Sequence, residues 1–76
     1  MKHSNIININ KTARNMKNVR LRNNICEEEL SVILNGVSVE LITSIENGEF
    51  IPTLEYVYDF CRYFSISIDD IIISIL

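Results

Sequence analysis

Seventy-six residues leave room for one small domain, which suits helices with local contacts or a dimer that adds buried area. An apolar content of 47% argues against disorder, while no apolar run reaches the ~18 residues a membrane span needs. The net charge of −3 hides an asymmetry: residues 1–26 carry six cations and no acid (+6), and residues 27–76 carry Arg62 against ten acids (−9). That split predicts a basic arm or face on an acidic body.

Residues 1–10 are rich in Asn and Ile without a helical period, and read as a flexible N-terminal arm or a short extended segment. The polar start carries no signal-peptide pattern. His3 reads as an exposed side chain without a partner, and the sharper alternative is an arm that reaches DNA. The domain proper is expected over residues 11–76. A first helix is predicted over Lys11–Asn23, with Met16 and Val19 facing inward. Asn23-Asn24 would end it, because Asn tolerates a left-handed cap. Lys11, Arg14, Lys17 and Arg22 are its cations besides Arg20, and a solvated face explains them as well as a ligand does.

A second helix is predicted over Glu27–Leu34, with Leu30, Ile33 and Leu34 inward. Glu27, Glu28 and Glu29 sit in its first turn, where the helix dipole favours carboxylates by roughly 0.3–1 kcal/mol each. Asn35-Gly36 breaks the pattern, Val37 reads as a core plug, and Ser38 is a good N-cap. The third helix, Val39–Asn47, would bury Val39, Leu41, Ile42 and Ile45. Glu40, Thr43, Ser44 and Asn47 then share its outer face. In the following loop at least one of Phe50 and Ile51 should be buried. Pro52 and Thr53 start the fourth helix, Leu54–Phe64, with a predicted inward stripe of Leu54, Val57, Tyr58, Cys61 and Phe64. Ser67 with Asp70 resembles a capping box for a fifth helix. Its residues Ile68, Ile71, Ile72, Ile75 and Leu76 are too many apolar groups for a monomer of this size. They predict a C-terminal dimerisation helix and a homodimer, with a β-strand over 71–76 as the local alternative.

Five motifs in register give a resemblance. They are Val19-Arg20; Ile25-Cys26-Glu27-x-x-Leu30-Ser31; Gly36-Val37-Ser38; Ile42-x-x-Ile45-Glu46-Asn47-Gly48; and Pro52-Thr53-Leu54-Glu55 with Ile66-Ser67-Ile68-Asp69-Asp70. Together they resemble the Cro and phage-repressor type (XRE-like) helix-turn-helix transcriptional regulators over about residues 12–73. The resemblance implies an all-α fold, a compact five-helix bundle of the lambda-repressor-like DNA-binding type with the helix-turn-helix at helices 2 and 3. It implies contacts to double-stranded DNA from Glu27, Ser38, Val39, Glu40, Thr43, Ser44 and Asn47, with phosphate contacts from Lys11, Arg14, Lys17 and Arg22. It also implies a structural ion pair between Arg20 and Glu46. Three departures stand out. Cys26 takes an N-cap usually filled by Ser or Thr, and Glu27 replaces a Gln. Between Ser31 and Gly36 there are four residues where that family has three.

No nucleophile–base pair, phosphate loop or ligand cluster is legible, so no enzyme, metal or cofactor is expected. Cys26 and Cys61 lack a C-x-x-C spacing, and a reduced cytoplasmic chain without a membrane partner is the simplest reading. The functional expectation is a sequence-specific DNA-binding transcriptional regulator, a repressor acting as a homodimer through helix 3 in the major groove. The alternative is a protein-binding module of the same fold, an anti-repressor or antitoxin-like chain without ordinary DNA contacts. The acidic second helix would repel phosphate and favours that alternative. The position of the helix 1 cations relative to helix 3 discriminates the two.

Overall fold

The computed structural model describes residues 6–7, 9–71 and 74–75, with side chains described for 9–71. Five helices follow in chain order: α1 (Ile9–Arg22), α2 (Glu27–Ile33), α3 (Val39–Glu46), α4 (Leu54–Phe64) and α5 (Ile68–Ile71). Two-residue strands β1 (Ile6–Ile7) and β2 (Ser74–Ile75) form an antiparallel ladder with Ile6 opposite Ile75 and Ile7 opposite Ser74. The all-α class is as expected, and the ladder refines both ends of the chain. Residues 6–7 of the expected arm are extended and paired, and α1 starts two residues earlier than the pattern suggested. The fifth helix is short, and the strand alternative holds at Ser74–Ile75, where β-branched residues favour extended backbone. His3 lies outside the described residues.

Side-chain chemistry sets the starts of the helices. Ser38 and Thr53 accept the N–H groups of Leu41 and Tyr56, each at 3.1 Å. Cys26 forms a capping box with Glu29. Its thiol accepts the Glu29 N–H at 3.4 Å, and its own N–H donates to the Glu29 carboxylate at 2.9 Å. That backbone hydrogen bond, with the thiol contact behind it, holds the Glu29 carboxyl below its ordinary value.

A shared loop ends α1 to α4. A residue in the left-handed region lets a later N–H return to a carbonyl five residues back. The pairs are Ile25 to Arg20, Gly36 to Ser31, Glu49 to Ser44 and Ile66 to Cys61, at 3.2, 2.8, 2.9 and 3.0 Å. The left-handed residues are Asn24, Asn35, Gly48 and Ser65. A Cβ on Gly48 would lie 2.6 Å from Asn10 Oδ1, the movable end of an exposed side chain, so it is the positive φ of +78° that selects glycine there.

The core is built from Met16, Val19, Leu30, Leu34, Ile42, Ile45, Tyr56, Val57, Phe60, Cys61 and Ile71. Val37 is half-buried against it, as its plug role requires. Four expectations fail. Leu41 is exposed because α3 turns Glu46 inward instead. Leu54 and Tyr58 are exposed, at 73% and 56%, because α4 is rotated to bury Tyr56 and Phe60. Phe50 and Ile51 are both exposed. Ile71, expected at a dimer interface, is 1% exposed within the chain's own core. Its carbonyl accepts Asn15 Nδ2 at 3.2 Å, which draws α5 onto α1. Ile68 is half-buried against the same core, and the side chains of Ile72, Ile75 and Leu76 lie outside the described ones.

The two thiols differ. Cys61 is buried, donates weakly to Ser67 O at 3.9 Å, and is pushed up from its ordinary pKa by burial and then by Asp70. Cys26 is exposed. Ellman's reagent is therefore expected to titrate one thiol per chain at once and the second only in denaturant. Two fast thiols would contradict the packing of α4.

Candidate nucleic-acid interface

The turn between α2 and α3 is organised by Ser31. Its carbonyl accepts the Gly36 N–H, and its hydroxyl donates to the Val37 carbonyl just ahead of the Ser38 cap. Asn35 and Gly36 both take positive φ, +63° and +90°, so the chain reverses within two residues. An added Cβ on Gly36 would meet nothing within 4 Å, so glycine is selected there by backbone conformation alone.

Behind the turn lies the ion pair of Arg20 and Glu46. Arg20 Nε and Nη2 donate to Glu46 Oε2 and Oε1 at 2.7 and 2.9 Å, and Nη1 donates to the Ile25 carbonyl at 2.8 Å. The two side chains are 8% and 3% exposed. One guanidinium thus joins α1, α3 and the segment leading into α2. The hydrogen bond to Glu46 raises the Arg20 pKa above its ordinary value. Tyr56 of α4 packs nearby, and its phenol is held above its ordinary value by burial first and by the Glu46 charge second. This pair sets the attitude of α3 to the rest of the domain.

The candidate DNA-contacting residues separate into a connected pair and an open face. Thr43 Oγ1 donates to Glu27 Oε2 at 3.1 Å, which ties the middle of α3 to the start of α2. Thr43 keeps its acceptor lone pairs and its methyl group. Glu40 and Asn47 are exposed, Val39, Thr43 and Ser44 are half-buried, and Ser38 is exposed while capping. Of the three glutamates at the start of α2, Glu29 is occupied by the capping box and Glu27 by Thr43. Glu28 is exposed and unpaired among the described residues.

The α1 cations do not share one side. All four are exposed. At 100° per residue, Lys17 lies about 60° and Arg14 about 120° from Arg20, in the same direction as Asn10 at about 80°. Asn10 touches the space above Gly48, so Arg14 and Lys17 flank the C-terminal end of α3. Arg22 lies on the other side, in a hollow shared with Ile66, Asp70 and Ile71. Lys11 falls opposite Arg20, about 180° round. The sequence reading missed this hollow and the exposed apolar surface of Phe50, Ile51, Leu54 and Tyr58. The spacing of Asn15, Asn18 and Arg22 along one stripe of α1 was the available signal for the hollow.

The helix-turn-helix family is matched over residues 16–71, from the middle of α1 to the end of α5. The chain belongs to the helix-turn-helix family. This agrees with the resemblance to Cro and phage-repressor type regulators carried by the five motifs. An uncharacterized HTH-type transcriptional regulator of Methanocaldococcus jannaschii is 34% identical over 58 residues, covering 76% of this chain and 86% of that one. The crystal structure of the DNA-binding domain of BldD superposes with a TM-score of 0.73 over 86% of this chain and 93% of that chain. At 9% identity this shows the fold. In this helix-turn-helix domain no helix among the described residues is long and apolar enough to cross a membrane. Among the same residues, no group of His, Cys, Asp and Glu is placed to hold a metal ion.

Proposed function

We propose that the chain is a sequence-specific DNA-binding transcriptional regulator of the cytoplasm, a repressor that acts as a homodimer and sets α3 in the major groove. The observation that carries this reading is the outer face of α3, held by the Ser31 turn and the Arg20–Glu46 pair while its polar side chains face outward. In this reading Asn47 offers an amide to adenine N6 and N7, and Glu40 accepts from cytosine N4. Thr43 presents a methyl to thymine, with its hydroxyl steadied by Glu27. Arg14 and Lys17 supply the phosphate contacts that position the domain.

The carboxylates at the start of α2 oppose that docking, and they define the test. Fluorescence anisotropy with a duplex from upstream of its own gene is expected to show saturable binding that weakens with salt. It should exceed a scrambled duplex by at least ~10³. Glu27→Gln keeps an acceptor for Thr43, removes a charge that faces phosphate, and is expected to tighten binding about tenfold. Absence of binding at low salt for both proteins would sink the regulator reading.

A second reading, a protein-binding module of the same fold, is favoured by one observation. The acidic start of α2 shares the domain surface with the exposed apolar residues Phe50, Ile51, Leu54 and Tyr58. Such a composition suits a protein partner better than phosphate.

A further inference from the structure

Between α1 and the α4–α5 segment lies a hollow of about 640 Å³. Val19, Ile66 and Ile71 give it an apolar lining, and Leu21, 51% exposed, stands at its rim. Arg22 lines it from α1 and Asp70 from α5. Among the described residues neither side chain forms an ion pair or a side-chain hydrogen bond, although both border the same hollow. One cation and one anion therefore flank the same hollow, and neither is paired with a counter-charge among the described residues.

That arrangement is self-complementary. A two-fold axis brings residue i of one copy to residue j of the other and the reverse, so opposite charges on the two walls are matched twice. A second hollow, of about 270 Å³ between the α2–α3 turn and α4, shows the contrast. Its charged lining residues are Glu55 and Asp59, both acids, and Asp59 is already held by Arg62 at 2.6 Å. A two-fold copy there would set like charges face to face.

We propose that the seam between α1 and α5 is where a second copy of this chain docks, with Arg22 of each copy pairing with Asp70 of the other across Leu21 and Ile66, the accessible apolar residues of the hollow. This deepens the homodimer part of the proposed function by naming its surface. Arg22 accordingly leaves the set of phosphate contacts, and Leu21 becomes buried on assembly.

The test is sedimentation of the full chain over a range of concentrations, without DNA. Arg22→Asp and Asp70→Arg set like charges against each other twice, and each is expected to weaken the dimer at least ~10-fold. The double variant should return to within about threefold of the native dimer, because the pairs are restored with reversed sign. Mixing the two single variants should give a heterodimer in which both pairs are attractive. Both residues are exposed, and Arg22→Gln with Asp70→Asn carries the test if a reversal fails to fold. A dimer untouched by any of these changes would overturn this surface while leaving the DNA-binding reading standing. A chain monomeric at all concentrations would overturn the surface and the homodimer together. Weakened DNA binding by Arg22→Asp with an unchanged dimer would return Arg22 to the phosphate contacts.

Discussion

Glu46→Ala is expected to destabilise the domain by roughly 3–5 kcal/mol, because it leaves the Arg20 guanidinium buried without its carboxylate. For a chain of 76 residues this corresponds to a fall in the thermal midpoint of about 15–30 °C, read by circular dichroism. Arg20→Ala should cost a similar amount. It strands Glu46 and also removes the donor to the Ile25 carbonyl. Replacing both partners, Arg20→Met with Glu46→Leu, should recover most of the loss, since the desolvation of two charges disappears with their attraction. A single-variant cost below about 1 kcal/mol would mean that water reaches the pair. Proton linkage adds a check. Arg20 is held above its ordinary pKa in the folded state by the hydrogen bond to Glu46. Its contribution is therefore complete below the unfolded pKa and is lost only as pH rises through the higher folded value, both far above neutrality. The cationic side of the pair should give no stability change across the neutral range.

The same pair shows what a sequence can and cannot disclose. Periodicity places Arg20 near the Met16–Val19 side of α1, but nothing local links it to Glu46, 26 positions away. Only the resemblance to a known helix-turn-helix pattern suggested the partner. Caps were legible because their chemistry is local: Ser38 and Thr53 announce helix starts, and Asn24 and Gly48 announce stops. The Asn35-Gly36 break was legible for the same reason. That two consecutive residues there take positive φ goes with Ser31 closing the loop twice, which no spacing rule encodes. On the candidate interface, the outer residues of α3 followed from their 100° spacing. The Glu27–Thr43 hydrogen bond did not, because it depends on the angle at which α2 and α3 meet. The short α5 is a third case: a run of Ile satisfies helix and strand patterns alike, and pairing of Ser74–Ile75 with Ile6–Ile7 decides it.

The rotation of α4 gives the second large effect. The expected stripe runs through Leu54, Tyr58 and Cys61 and a slightly broader one through Tyr56, Phe60 and Cys61, and Val57, Cys61 and Phe64 belong to both. The structure selects the second. Phe60 is fully buried, and its ring lies 4.7 Å from that of Phe64, tilted by 50°. Phe60→Ala is therefore expected to cost about 3–5 kcal/mol, part of it from the cavity left at the centre of the core. Loss of the aromatic contact with Phe64 adds to this, by about 0.5–1.5 kcal/mol in such pairs. Leu54→Ala should stay within about 0.5 kcal/mol, since the side chain is mostly in water. Tyr58→Ala should be similarly mild, losing a contact with Arg62 whose guanidinium carbon sits 5.4 Å from the ring centroid. Urea unfolding of the three variants separates the stripes, because the order of costs reverses if Leu54 and Tyr58 face inward. The same variants divide structure from function. Phe60→Ala should impair DNA binding only through unfolding, whereas a well-folded Leu54→Ala protein that loses a protein partner would shift weight to the protein-binding reading.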